Sequence, residues 1–178
     1  MAICKITDHV VSPTNSYIFD TNIWMFLFAP LAGAKRSKQE VYSQLLADIL
    51  SRKATIWVSS LVISEFVNAV LRLAFKQWMR SKNLLNADFK HDFRPTPEYQ
   101  VALVDVRAQV SSILDICERR PDDFNSINID GVIESMGNSY DFGDAIIADV
   151  CKRNKEIKLV TDDSDITSGN FPFTVITA

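Results

Sequence analysis

The side chains that could do chemistry in this 178-residue sequence are acids scattered along its length: Asp20, Glu65, Asp144, and the run Asp162, Asp163 and Asp165. Asn22 and Thr161 stand close by in sequence as polar helpers. Carboxylates brought within a few ångströms of one another repel and raise one another's pKa, so a fold keeps such a group chiefly where divalent cations neutralise it. Ligation by oxygen alone selects Mg²⁺ or Mn²⁺. A carboxylate-held ion with open water positions suits phosphodiester hydrolysis. One ion orients and deprotonates the attacking water, and a second, about 4 Å away, stabilises the leaving oxygen. The histidines are His9 and His91 only, and neither is placed to be a general base, so activation of water falls to the metal. Those histidines with Cys4, Cys117 and Cys151 offer no zinc-type spacing, and the glycines form no G-x-x-x-x-G-K-[ST] phosphate loop.

For this chemistry the acids must meet, which is a demand on the elements that carry them. Tyr17-Ile18-Phe19 reads as a short buried strand ending at Asp20. Thr55 to Val58 reads as the next strand, followed by a helix capped by Ser59 or Ser60 that carries Glu65 near its start. A helix from about Phe142 to Arg153 carries Asp144 in its first turn. The strand Ile157 to Thr161 runs into Asp162, Asp163 and Asp165, and a final strand spans Phe173 to Thr177. Further helices are expected over Ser37 to Ser51, on apolar positions Val41, Leu45 and Ile49, and over Pro97 to Arg119. A short apolar piece, Ile127 to Ile129, precedes a small helical segment near Gly131 to Met136. Strands alternating with helices imply right-handed crossovers and a mostly parallel sheet of four or five strands, covered on both faces. In such a sheet ligands collect outside the carboxyl ends of the strands, where these acids fall.

Asp144 is the most pointed of them. Positions i+3, i+4 and i+7 from it are Ile147, Ala148 and Cys151, so it begins an apolar, core-facing stripe. A carboxylate there is costly unless paired, and Asp141 is the better simple N-cap. Plain structural roles exist for each acid taken singly: a turn residue for Asp20, a solvated helix position for Glu65, a hydrogen bond to Thr161 or backbone for Asp144. Their coincidence at one sheet edge favours a shared function.

Composition narrows the class. The chain is 47% hydrophobic with 5 Gly and 6 Pro, which excludes disorder and fibrous repeats and suffices for one core. The reading is therefore a single domain over residues 1–178. Apolar stretches such as Ile23 to Pro30 are far shorter than the roughly 20 residues needed to cross a bilayer. No basic leader followed by an apolar run opens the chain, so the expected location is cytoplasmic, with reduced thiols and no membrane partner. With 19 basic against 22 acidic residues the net charge is −3, so a nucleic acid must be held by a local patch or through bound ions. Such a patch is available in residues 75–96, where Lys76, Arg80, Lys82, Lys90, His91 and Arg94 outnumber Asp88 and Asp92. That stretch reads either as a solvated helical extension or as a basic arm beside the acidic site.

The motifs YIFDTNIWM (Tyr17 to Met25), SSLVISEFVNAV (Ser59 to Val70), YDFGDAIIADV (Tyr140 to Val150) and KLVTDDSDI (Lys158 to Ile166) together resemble the PIN domain, in particular the VapC-like toxin nucleases of bacterial toxin–antitoxin pairs. The resemblance covers almost the whole chain. It implies an α/β/α fold and a metal-dependent ribonuclease with a quartet of acids, which fall here on Asp20, Glu65, Asp144 and Asp163, with Asp162 as a substitute for the last. It also implies that Asn22 and Thr161 support the first and last acids by hydrogen bonds. The partners that follow are an RNA substrate, a small antitoxin protein if the chain is a toxin, and a second copy in a homodimer. A haloacid-dehalogenase-type phosphatase would want an aspartate where Asn22 stands, and a receiver domain would want a lysine after a late strand. The competing reading is a non-catalytic PIN-fold module that binds RNA or protein.

Overall fold

The strand that ends at Asp20, β2 (Ser16–Phe19), lies inside the sheet with Tyr17, Ile18 and Phe19 all buried. Such a run of aromatic and β-branched residues suits a strand covered on both faces. A computed structural model describes residues 3–29, 36–122, 124–136, 141–167 and 171–178; Tyr140 of the third motif lies outside them. The other strands are β1 (Ile3–Lys5), β3 (Thr55–Val58), β4 (Glu118–Arg119), β5 (Ile157–Val160) and β6 (Val175–Thr177). They form a six-stranded sheet in the order β1-β6-β5-β2-β3-β4, and every pairing is parallel.

The sheet is thus wider than the four or five strands expected. The additions are its two edges, β1 and β4, which are three and two residues long. Glu118 and Arg119 are polar and exposed, and only their ladder to Trp57 and Val58 makes them a strand. The same ladder ends the preceding helix early: α4 (Pro97–Ile116) stops before Cys117, which turns extended, instead of running to Arg119.

Chain order fixes where a ligand can sit. From β2 the chain steps outward to β3 and β4, then returns across the sheet to β5 and continues to β6. Right-handed crossovers place the helices of those two journeys on opposite faces. Accordingly α1 (Thr21–Phe28), α2 (Arg36–Ser51), α3 (Ser60–Ser81) and α4 pack among themselves, while α5 (Ile129–Ser135) packs on α6 (Phe142–Arg153). A one-turn helix, α7 (Ser164–Thr167), follows β5. The result is a three-layer α/β/α fold whose switch point lies between β2 and β5. Phe19 stands in register with Val160, so Asp20 and Thr161 leave the sheet side by side.

Local signals set the helices that matter most. Ser59 caps α3 by accepting from the Val62 backbone, and Val62, Phe66 and Val70 form its buried stripe. In α2 the buried face is Tyr42, Leu45 and Ile49; Val41, expected inward, is only half-buried, because the Tyr42 hydroxyl is drawn to Asp162 and to the Ala178 backbone. The apolar segment after Asp20 is itself the helix α1, with Ile23 and Trp24 fully buried.

Residues 75–96 extend α3 to Ser81 and return through a wide helical turn, Phe89–Phe93, capped by Asp88. Phe75, Trp78, Phe89, Phe93 and Tyr99 close on one another with ring centroids 5.3–6.1 Å apart. Phe93 is fully enclosed there. This aromatic knot holds the extension to α4, while Lys76, Arg80, Lys90, His91 and Arg94 remain exposed around it.

Candidate active site

Asp20 is the hub of the site. It caps α1, its Oδ1 accepting from the Thr21 backbone at 2.6 Å, while Oδ2 accepts from Asn22 Nδ2 at 2.6 Å and from Thr161 Oγ1 at 2.7 Å. Only 6% of the residue is exposed. Burial pushes its pKa up; the hydrogen bonds from Thr161 and Thr21 oppose that, and the charges of Asp163 and Asp141 add to it. The Thr161 hydroxyl is saturated: it donates to Asp20 and accepts from Asn22 Nδ2 (3.1 Å) and from the Asp163 backbone (3.1 Å). Asn22 completes the web, its Oδ1 accepting from the Asp162 backbone at 3.2 Å. The polar pair read from sequence as helpers thus stitches the end of β2 to the end of β5.

The acids after β5 part company. Asp162 turns to Lys38 on α2, whose ammonium donates to both its oxygens at 2.5 and 2.7 Å, and it also accepts from the Tyr42 hydroxyl at 3.1 Å. Asp163 turns the other way. Its Oδ1 accepts from the Asp165 backbone at the start of α7, and its charge is felt by both Asp20 and Asp144. Asp165 is exposed in that turn.

Glu65 arrives from α3, its Oε2 accepting from Thr21 Oγ1 at 2.8 Å. Its other oxygen lies against Gly143 in the first turn of α6: a β-carbon there would stand 2.1 Å from Glu65 Oε1 and 3.3 Å from Asp141 Oδ1. The absent side chain is what lets the glutamate reach the helix start. Asp141 caps α6 by accepting from the Asp144 backbone at 3.0 Å. Burial raises the pKa of Glu65, the Thr21 hydrogen bond opposes this, and Asp141 and Asp20 add to it. Asp144 is pushed up to about 7, first by burial, then by the charges of Asp141 and Asp20 and, more weakly, Asp163. Ile147, Ala148 and Cys151 below it are all buried, as the stripe predicted.

Asp20, Glu65, Asp141, Asp144 and Asp163 therefore form one electrostatic group built from the ends of two strands and the starts of two helices. Among the described residues no Lys or Arg forms an ion pair with any of them. Nor do any three of the described His, Cys, Asp or Glu side chains close around a single point tightly enough to chelate an ion as they stand. The donor set still fits a hard divalent cation: it is all oxygen, and the crowding of negative charge raises the pKa of Asp20, Glu65 and Asp144.

The family model described as PIN domain matches residues 17–171. The chain belongs to the PIN domain family. Membership supports a nuclease-type function in general terms. In fold, this PIN domain is similar to a chain in the crystal structure of VapBC2 from Rickettsia felis bound to a DNA fragment from their promoter. The TM-score is 0.52 at 16% identity, over 91% of this chain and 98% of that one. No curated protein matches the sequence.

Sequence reasoning missed three residues of this PIN domain's site. Thr21 orients Glu65 across the gap between α1 and α3, and the T of the DTN triplet was its only trace. Asp141, read as a cap, is a cap and a member of the acid group at once. Lys38 lies 124 positions from Asp162, and nothing local marks it. His9 is engaged with the Tyr17 hydroxyl at 2.9 Å and His91 sits in the turn Phe89–Phe93. Among the described residues no helix is long and apolar enough to cross a membrane.

Proposed function

We propose that this PIN domain is a Mg²⁺- or Mn²⁺-dependent endoribonuclease that hydrolyses RNA phosphodiester bonds in the cytoplasm. The observation that carries the proposal is the convergence of Asp20, Glu65, Asp141, Asp144 and Asp163 with no ion pair to a Lys or Arg among the described residues. Asp20, Glu65, Asp144 and Asp163 would hold the ion or ions. Asp163 is preferred over Asp162, whose carboxylate is already held by Lys38 and Tyr42. When bound, the metal supplies Lewis acidity, lowering the pKa of a bound water and stabilising charge on the phosphoryl oxygens.

The chain's own residues do the rest. Three hydrogen bonds prevent Asp20 from rotating, so its geometry is set before any ligand arrives. Thr21 does the same for Glu65. Burial and the neighbouring charges raise the Asp144 pKa to about 7, so a cation bound there would displace a proton from the fraction still protonated. The exposed cations of residues 75–96, on the far half of α3 and the turn beyond it, would attract the backbone of an RNA long enough to reach from the acids to them.

A toxin role is the finer part of the proposal. It rests on the likeness to a chain of the VapBC2 structure and on motifs of the VapC type, and it would give this protein a small antitoxin partner. The enzymatic reading is tested by incubating purified protein with a structured RNA in Mg²⁺ or Mn²⁺, with and without EDTA. Chelator-sensitive cleavage that vanishes in Asp20→Asn supports it. Cleavage by Asp20→Asn, or RNA binding with no metal-dependent cleavage, refutes it in favour of a binding module.

A further inference from the structure

We infer that the exposed row Arg72, Lys76 and Arg80 on α3 is a phosphate track, along which a single RNA strand lies as it leaves the acids. That the strand is RNA rests on the nuclease reading; the path itself rests on the geometry of α3.

Glu65 is the only acid of α3, and Arg72, Lys76 and Arg80 are its only cations. Spacings of seven and eleven residues return a side chain to nearly the same side of an α-helix. Arg72 and Lys76 therefore stand within about 20° of Glu65 around the axis, and Arg80 within about 60°. All three cations are exposed, as is the neutral Asn68 between them and the glutamate. The row begins about 10 Å along the axis from Glu65 and ends about 22 Å from it. Its steps of about 6 Å are of the order of the spacing between successive phosphates in an extended strand. Side chains on a helix lean toward its start, here toward the acids.

The fold gains little from this row. Like charges four residues apart on a helix repel, and no acid stands three or four positions from any of the three to offset this. The dipole of α3 favours a cation in its last turn, which accounts for Arg80 but not for Arg72 or Lys76. Among the described residues none of the three forms an ion pair, whereas Lys38 is held by Asp162 and Lys82 by Glu98.

Cations that repel one another and that no acid neutralises suit a polyanion. The row is one side chain wide and in line with an acid of the cluster, so it follows the backbone of one strand. It meets phosphates and no bases, so it carries no sequence preference.

The test measures binding of the full-length protein to a fluorescent oligouridylate in EDTA, by anisotropy between about 50 and 200 mM salt. Each phosphate contact on a single strand contributes about 0.7 to the slope of log K against log salt concentration. Arg72→Gln, Lys76→Gln and Arg80→Gln combined should therefore lower the slope by about 2, and Lys76→Gln alone by about 0.7. Affinity of the triple variant at the lowest salt should fall at least about tenfold. Arg72→Lys with Arg80→Lys should keep both affinity and slope, because charge suffices. A control removes three exposed charges ahead of β3 and β5, at the opposite ends of the strands: Arg52→Gln, Lys53→Gln and Lys155→Gln. Its slope should match that of the unaltered protein.

An unchanged slope in the first triple variant, or an equal loss in the control, overturns the inference. Polyglutamate that binds as tightly and is lost alike also overturns it, in favour of a docking face for an acidic protein. The two readings fail separately. A slope lowered as expected, without metal-dependent cleavage, sinks the nuclease and keeps the track, whereas metal-dependent cleavage with an unchanged slope sinks the track and keeps the nuclease.

Discussion

Thr161 donates its hydroxyl proton to Asp20 across 2.7 Å, although 141 positions separate them in the chain. The bond exists because β2 and β5 are neighbours in register, and the same hydroxyl accepts from Asn22 and from the Asp163 backbone. One side chain therefore sets the positions of two acids of the cluster.

Thr161→Val keeps the shape and removes all three bonds. The buried Asp20 carboxylate loses a donor, at a cost of about 1–3 kcal/mol. Metal affinity should fall by about 10–100-fold, as when a ligand loses the group that orients it. Thermal unfolding and Mn²⁺ titration of the folded variant check both numbers; unchanged Mn²⁺ affinity would remove Thr161 from the account.

Gly143→Ala tests whether Glu65 must reach the start of α6. The new β-carbon would occupy space now held by Glu65 Oε1, and the glutamate, being the end of a flexible side chain, should swing away. Cleavage should drop by at least about tenfold while the far-ultraviolet circular dichroism stays as in the unaltered protein. Full activity would show that this contact does not matter.

The pH dependence of stability follows from Asp144. Its folded-state pKa is raised from 3.8 to about 7, so its protonated form is favoured in the fold. That contribution is fully present below about pH 4 and is lost as pH rises through 7. The melting temperature of the metal-free protein should fall across that window, and Mg²⁺ should restore it most at the alkaline end. His9, whose pKa burial lowers, acts in the opposite sense below about 6.5, so the curve for Asp144→Asn must be subtracted. Coincident curves for the two proteins in EDTA would contradict the assignment.

Lys38→Met leaves Asp162, 13% exposed at its side chain, with the Tyr42 hydroxyl as its only side-chain partner among the described residues. A loss of about 1–3 kcal/mol is expected at neutral pH. Asp162→Asn in the same chain should recover most of it, since the unpaired charge is then gone. A double-mutant cycle by chemical denaturation with no coupling would refute the pairing.

Phe93→Ala removes the centre of the aromatic knot. Truncating a buried phenylalanine costs about 3–5 kcal/mol. The loss should appear as unfolding at lower denaturant. An unchanged midpoint would mean that the extension does not fold with the rest.

What could be read in advance divides along physical lines. β2, β3 and β5 announced themselves because central parallel strands are apolar on both faces, and α6 did so through its cap and its stripe from Asp144. α1 was hidden because TNIWMFLF is apolar nearly all round and shows no period. β1 and β4 are strands only by virtue of their neighbours. Asp20, Glu65 and Asp144 fell where strand ends and helix starts meet, so parallel topology alone foretold their encounter. Choosing between Asp162 and Asp163 needed Lys38, a contact that no local pattern encodes.

The central claim, that carboxylates from the ends of β2 and β5 and the starts of α3 and α6 share a divalent cation, is tested most directly by anomalous diffraction from crystals soaked in Mn²⁺. The account predicts a peak within about 2.5 Å of oxygens of Asp20 and of at least one of Asp144 and Asp163. Manganese bound elsewhere, with nothing at these side chains, would contradict it.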